Sequence, residues 1–158
     1  MNVRAALAAA AVAYSACCAT PVAAPAESSC VPTTISSAST PETLVKVHIN
    51  GSGPYTFFVD TGATVSIVSS ALARKLRLPP SSAVVHGVGA GGVFSTRAAR
   101  VTITVGTVSQ ENVLVSIFDV SQIEAALGPV DGALGYNFLR AYRVTIDFPD
   151  NRLCLEET

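Results

Sequence analysis

The chain has 158 residues, of which 49% are hydrophobic and 13% are charged, a composition ordinary for a folded domain. Its formal net charge of -1 and its ten scattered basic residues provide no positive field that would attract phosphate backbones. Composition therefore excludes disorder as the global state and argues against nucleic-acid binding.

The N-terminal segment differs from the rest of the chain. Arg4 precedes an apolar stretch over residues 5–16, which is too short to span a bilayer as a helix. We predict a signal peptide over residues 1–26, with cleavage before Glu27 and export to the periplasm or the medium. The alternative is a lipoprotein processing site at Cys17, whose acylation would anchor the chain to a membrane. No later stretch reaches the length of a membrane span, so none is expected in the mature chain.

Removal of this leader leaves two cysteines, Cys30 and Cys154. In an oxidising compartment they can pair, and their spacing leaves open whether the bond lies within one subunit or between two. Together with His48 and His86 they lack the short ligand spacings that zinc requires. We expect no metal site.

Residues 27–42 are rich in Ser, Thr and Pro and predict a flexible arm before a domain that covers residues 43–158. Within the domain, short β-branched runs alternate with Gly, Pro, Asn and Asp, which predicts a mainly antiparallel β structure. Alternation is clearest at Val101, Ile103 and Val105, which should share one buried face. The predicted strands cover residues 44–49, 55–59, 64–68, 83–88, 93–105, 108–117, 142–147 and 152–155.

Three segments between the strands predict short helices. They cover residues 69–76, with a serine available as the N-cap, residues 121–127, which end at Gly128-Pro129, and residues 136–140. Such short helices decorate a sheet structure and do not form a core of their own.

One acid stands out because it ends an apolar strand. Asp60 follows the run Phe57–Val59 and is itself followed by Thr61 and Gly62. A carboxylate at such a place is costly unless it is neutralised, hydrogen-bonded or used in chemistry. Thr61 can supply a hydroxyl, and the glycine allows its backbone N–H to approach the carboxylate.

The tripeptide Asp60-Thr61-Gly62 alone is consistent with a simple turn. Its interpretation therefore depends on a second segment, residues 130–139. With both segments present, the chain resembles the retropepsin-like aspartic peptidases. In that family a hydrophobic-Asp-Thr/Ser-Gly-Ala/Ser loop carries catalysis, and here Val59–Ala63 match it, with Asp60 as the catalytic residue. A later hydrophobic-hydrophobic-Gly braces that loop, and it is matched by Ala133, Leu134 and Gly135.

The resemblance extends over residues 43–155 and implies a single-lobe acid-protease β-barrel. It also implies a flap, a glycine-tipped β-hairpin that closes over the substrate. The segment in the corresponding place consists of Gly87, Val88, Gly89, Ala90, Gly91 and Gly92. Its glycines are only superficially similar to a phosphate-binding loop, since no Lys-Ser/Thr and no helix follow them.

Aspartic peptidase chemistry needs two carboxylates that share a proton. No other aspartate of this chain is followed by Thr-Gly or Ser-Gly. We therefore expect a homodimer in which Asp60 of each subunit supplies one carboxylate across a two-fold axis, with no cofactor. The expected activity is that of an endopeptidase acting on an extended peptide.

Two alternatives to an active dimer remain at this point. One is a retropepsin-like module that binds peptides or supports assembly without turnover. The other is a latent monomer, in which residues 27–42 cover the cleft or the thiol of Cys30 controls assembly.

Overall fold

The structure, a computed structural model, describes residues 28–36, 41–89 and 92–158. The predicted signal peptide, Cys17, and the tip residues Ala90 and Gly91 lie outside these ranges. The described residues form ten strands: β1 (Ser28–Ile35), β2 (Thr43–Ile49), β3 (Ser52–Val59), β4 (Ser66–Ser69), β5 (Val84–Gly89), β6 (Gly92–Val105), β7 (Val108–Phe118), β8 (Gly132–Leu134), β9 (Tyr142–Asp147) and β10 (Arg152–Glu157). Three short helices accompany them: α1 (Ser70–Lys75), α2 (Ser121–Leu127) and α3 (Tyr136–Leu139).

The strands follow the order β5-β6-β7-β4-β8-β3-β2-β1-β10-β9, and β6 also pairs with β2. This extra pairing, through His48 opposite Thr104 and Ile49 opposite Ile103, closes six of the strands into a ring. The prediction of a mainly β barrel is thereby confirmed, and closure removes the free sheet edges that the six strands would otherwise expose.

The barrel interior is filled by side chains that alternate along each strand. Val101, Ile103 and Val105 of β6 are at most 2% exposed, which confirms the predicted buried face of this strand. Along β3 the alternation separates two clusters, since Phe57 and Val59 belong to the main core and Phe58 belongs to a smaller cluster. The two faces of β3 are therefore both covered by apolar side chains.

All three predicted helices are present, with bounds close to those expected. At α1 the side chain of Ser69 accepts a hydrogen bond from Leu72 N at 3.0 Å, which confirms a serine N-cap. Strand β8 was not predicted, because three residues with two small side chains carry no recognisable strand pattern.

The prediction of a flexible arm is wrong for residues 28–35, which form β1. Positions 28–32 pair with β10, and positions 33–35 pair with β2. In these ladders the backbone N–H and C=O groups of β1 bond to neighbouring strands, whereas the Ser- and Thr-rich composition had suggested that they would bond to water. Cys30 lies directly opposite Cys154, and the two form a disulfide within one chain.

Within the described ranges, no helix is both long and apolar enough to cross a membrane.

Candidate active site

Asp60 lies immediately after β3, at the point where β3 runs parallel to β8. The pairing places Phe58 opposite Ala133 and Val59 opposite Leu134. The ladder continues one step further, because Asp60 N donates to Leu134 O at 3.0 Å. The main chain of Asp60 is therefore held by the second of the two predicted segments.

The carboxylate of Asp60 is oriented by its own loop. Its Oδ1 atom accepts hydrogen bonds from Gly62 N at 2.9 Å and from Ala63 N at 3.1 Å. The bond from Gly62 is the one expected from the sequence. Asp60 is half-buried, whereas Thr61 and Gly62 are exposed. One carboxylate oxygen is thus fixed by backbone donors at a surface that a second molecule can reach.

Gly135 packs directly under this loop. A side-chain carbon at this position would lie 2.7 Å from Val65 C and 2.8 Å from Ser66 N, closer than real contacts allow. From the next residue, Tyr136 N donates to Ala63 O at 2.7 Å. Only glycine permits this approach, so the second segment braces the Asp60 loop through backbone contacts.

Sequence reasoning missed a partly buried polar clamp beside the loop, formed by Ser66 and Asn137. Asn137 Oδ1 accepts from Ser66 N at 2.8 Å and is 2.9 Å from Ser66 Oγ. Ser66 Oγ also accepts from Gly135 N at 3.0 Å, and Asn137 Nδ2 donates to Leu114 O at 2.7 Å. In the sequence, the signal for this clamp was a single polar residue within each of two apolar runs, Ser66 in residues 65–68 and Asn137 in residues 136–139.

We expect Asn137→Ala to lower the free energy of unfolding by about 2–3 kcal/mol, because the N–H and hydroxyl of Ser66 and the carbonyl of Leu114 lose the hydrogen bonds that Asn137 makes with them. Urea denaturation measures this change. The matched variant Ser66→Ala keeps the bonds of Asn137 to Ser66 N and to Leu114 O and loses only those of the Ser66 hydroxyl, so its loss should be smaller. Equal losses in the two variants would show that the bonds to Ser66 N and Leu114 O contribute nothing.

Asp131 is the acid that lies nearest in sequence to the bracing segment. Its Oδ2 accepts from Thr56 N at 2.9 Å, while its backbone N–H donates to Thr56 O and its carbonyl accepts from Ser69 N. These bonds join β3 to β4 across the start of β8. Asp131 therefore serves the fold.

Strands β5 and β6 form the hairpin that was predicted to be a flap. They pair from Val84 opposite Arg97 to Gly89 opposite Gly92. The ring of Phe94 lies over Gly87, where an added side-chain carbon would be only 2.5 Å from the ring. The same ring contacts Phe118 of β7 edge-on, with 5.2 Å between ring centroids. The hairpin is thus held against the barrel by the ring of Phe94, which lies midway along the paired strands.

Asp119 lies between β7 and α2. Its Oδ1 accepts from Ser121 N at 3.0 Å, and this backbone bond, with the Ser121 side chain, holds the pKa of the Asp119 carboxyl below its ordinary value. The described part of the chain contains no cluster of three or more His, Cys, Asp or Glu side chains suited to a metal ion.

Comparison with known proteins gives a consistent result. A family model described as aspartyl protease matches residues 45–138. Among solved structures, the chain is similar to a retropepsin-like aspartic protease from Rickettsia conorii, with a TM-score of 0.55 and 19% identity over 83% of this chain and 92% of that one. It also matches the retroviral protease-like domain of Ddi1 from Leishmania major, with a TM-score of 0.46 and 18% identity over 74% and 94% of the two chains. A search of curated proteins finds no significant match. The first structural similarity shows that the fold is retropepsin-like.

Proposed function

This chain belongs to the aspartyl protease family, and on that premise we propose that it is an endopeptidase whose active site is completed by a homodimer. The observation that carries the proposal is the Asp60 loop. Its carboxylate is held by two backbone amides of the loop, and its backbone is braced by Leu134 and Gly135. This arrangement presents one oriented acid at an accessible surface.

The chemistry requires a second carboxylate close to the first. Two carboxyl groups held close together cannot both be ionised, because their negative charges repel, so the pair shares one proton. The ionised carboxylate takes a proton from water while the oxygen of that water attacks the peptide carbonyl carbon. The protonated carboxylate donates its proton to the carbonyl oxygen, which yields a neutral tetrahedral diol. Proton transfer to the amide nitrogen then breaks the C–N bond and releases an acid and an amine.

A two-fold axis beside Thr61 and Gly62 would supply the second acid as another copy of Asp60. Both residues are exposed, and so is Thr64, which leaves this side of the loop open to a partner. Tyr136, directly after the bracing glycine, is 55% exposed, although a large aromatic side chain usually finds cover. These exposed groups support an interface around the Asp60 loop.

A mixing experiment tests the dimer. Wild-type chain is equilibrated with a ninefold excess of Asp60→Asn chain, and cleavage of unfolded casein is measured. If both copies of Asp60 are needed, activity per wild-type subunit should fall to about one tenth, because most wild-type subunits then have an Asn partner. As a control, the same excess of the exposed-site variant Asp150→Asn, which keeps its own Asp60, should leave the activity per total subunit unchanged.

Unchanged activity per wild-type subunit in the presence of Asp60→Asn would instead mean that one chain carries the whole site. If casein is bound but never cut by the wild-type protein at acidic or neutral pH, the chain is a binding module and the peptidase proposal fails.

We also propose that the chain is exported, through the predicted leader over residues 1–26. The disulfide between Cys30 and Cys154 supports this, because such bonds persist mainly in oxidising compartments. Fractionation of cells that express the full chain would test the location.

A further inference from the structure

The disulfide between Cys30 and Cys154 lies on the solvent side of the sheet. On β10 the residues that flank Cys154, Leu153 and Leu155, are fully buried in the main core. Because side chains alternate along a strand, Cys154 points to the opposite face. On β1 the next residue, Val31, packs against the core, so Cys30 also points outwards. Cys30 is exposed and Cys154 is half-buried, which leaves the bond open to reagents in water.

The neighbours of the disulfide on β9 and β10 are polar. Thr145 of β9 lies next in the same row across the sheet, and it is exposed. The rows on either side hold the ion pairs Arg143–Glu156 and Arg152–Asp147, whose side chains are between 30% and 75% exposed. A disulfide in such surroundings is accessible to thiols, and exposed disulfides exchange more readily than buried structural ones.

The two cysteines differ in how their strands are flanked. Strand β10 lies between β1 and β9, so Cys154 has a paired strand on each side. In the described part of the chain, positions 28–32 of β1 pair only with β10, so Cys30 has a paired strand on one side. An attacking sulfur can therefore approach Cys30 from the unpaired side, and Cys154 is the leaving group.

Apart from the disulfide, the N-terminal half of β1 is held by its ladder to β10 and by one buried side chain. Ser29 is 5% exposed, and its Oγ accepts from Thr107 N at 2.9 Å and donates to Val105 O at 3.4 Å. Each such hydrogen bond contributes little net free energy. Strand β10, in contrast, is anchored in the core by Leu153 and Leu155. Loss of the disulfide therefore loosens residues 28–32 more than it loosens β10.

We propose that the Cys30–Cys154 bond is a thiol–disulfide exchange site for dithiol reductants, and that its reduction frees residues 28–32 from β10 while the barrel stays folded. A thiolate of the reductant attacks Cys30 Sγ and forms a bond with it. The bond to Cys154 breaks, and Cys154 leaves as a thiolate that takes a proton from water. The second thiol of the reductant then attacks the reductant's own sulfur in the mixed disulfide and releases Cys30. The protein disulfide gains two electrons, and the dithiol is oxidised to a disulfide.

This inference goes beyond the peptidase proposal and does not depend on it, because no step involves Asp60. A small dithiol and the paired cysteines of an oxidoreductase supply the same chemistry. The two sources are separated by comparing dithiothreitol with reduced thioredoxin at equal dithiol concentration. Faster reduction by thioredoxin assigns a dithiol protein as the partner, and faster reduction by dithiothreitol assigns a small dithiol. Either result supports the exchange site.

The rate of reduction by dithiothreitol tests whether exchange occurs in the folded protein. The full chain is used with Cys17→Ser/Cys18→Ser, which leaves only the two cysteines of the disulfide. We expect a rate that is proportional to the dithiothreitol concentration and that changes less than about twofold in about 1 M urea. Urea at this concentration speeds a reaction gated by global unfolding at least about fivefold. Such an increase, or a rate independent of dithiothreitol, would overturn the inference.

Glutathione identifies the sulfur that is attacked. As a monothiol it stops at the mixed disulfide, and N-ethylmaleimide then traps the thiol that has been released. Peptide mass spectrometry should find glutathione on Cys30 and N-ethylmaleimide on Cys154. The reverse assignment would show that the unpaired side of β1 does not direct the attack.

Hydrogen exchange follows the release of β1, and it requires no cleavage of any substrate. In the reduced chain the amides of residues 28–32 should exchange faster, while those of β6 stay protected. Ser29→Ala should accelerate this exchange about fivefold more in the reduced chain, as loss of one hydrogen bond implies, and much less in the oxidised chain. Thr34→Ala, an exposed change on the part of β1 that pairs with β2, is the matched control and should alter neither.

Two results would contradict the local release. If residues 28–32 stay as protected after reduction as before it, the disulfide does not hold them. If β6 loses protection together with β1, the disulfide holds the whole barrel and reduction unfolds it. A chain that shows the expected release but never cleaves casein leaves this inference standing and removes the peptidase proposal.

Discussion

Replacing Asp60 by asparagine is expected to lower the rate of casein cleavage about 1,000-fold, the scale on which a positioned acid–base group contributes. The amide side chain can neither take a proton from water nor give one to the carbonyl oxygen. A dimer of the variant lacks both carboxylates, so no partner compensates for the change. The rate of peptide release at acidic and neutral pH measures the effect.

This substitution separates chemistry from folding. The asparagine keeps a side-chain oxygen that can accept from Gly62 N and Ala63 N, as Oδ1 of Asp60 does now. We therefore expect the unfolding midpoint of the variant to stay close to that of wild type. The control variant Asp150→Asn changes an exposed acid whose side chain accepts a hydrogen bond from Arg152, and it should keep full activity. Undiminished cleavage by pure Asp60→Asn protein would mean that Asp60 is not catalytic.

Removing the disulfide is expected to have the largest effect on stability. The bond joins Cys30 to Cys154 across a sequence separation of 124 residues, so it constrains most of the unfolded chain. The double variant Cys30→Ser/Cys154→Ser should lose about 2–5 kcal/mol of unfolding free energy, the usual range for a native disulfide. Urea denaturation without reductant measures the difference.

The same change should loosen β1 before the barrel. Positions 28–32 pair only with β10, whereas positions 33–35 pair with β2 of the barrel. Hydrogen exchange should therefore accelerate most at the Cys30 end of β1. Wild-type protein treated with reductant provides the matched comparison and should behave like the double variant. If the oxidised and reduced proteins unfold at the same urea concentration, the bond does not stabilise the native state.

Local sequence patterns predicted much of the barrel. Strand β6, predicted over residues 93–105, is observed over Gly92–Val105, because its alternating β-branched side chains match a half-buried surface. The helix-capping serine at position 69 was likewise readable from its neighbours. Such features depend on a few consecutive residues, so they can be predicted without knowing which other strands they contact.

The elements that were not predicted depend on partners that lie far away along the chain. The Ser- and Thr-rich composition of residues 28–35 gave no sign of a strand, and β1 exists because β10 and β2 supply its backbone bonds. Strand β8 is similar, since Gly132–Leu134 become a strand only between β3 and β4. The Ser66–Asn137 clamp was missed for the same reason, as its members are far apart in sequence.

The order of residues by itself determined the candidate acid and its Thr61-Gly62 turn, because this motif spans a few consecutive positions, whereas the expectation of a second carboxylate rests on the resemblance to the retropepsin-like peptidases. Only the tertiary structure decided that Cys30 pairs within its own chain and that Asn137 clamps the loop. Each of these joins segments that lie far apart along the chain, and the free energy of such contacts depends on a register and a packing that local sequence does not encode.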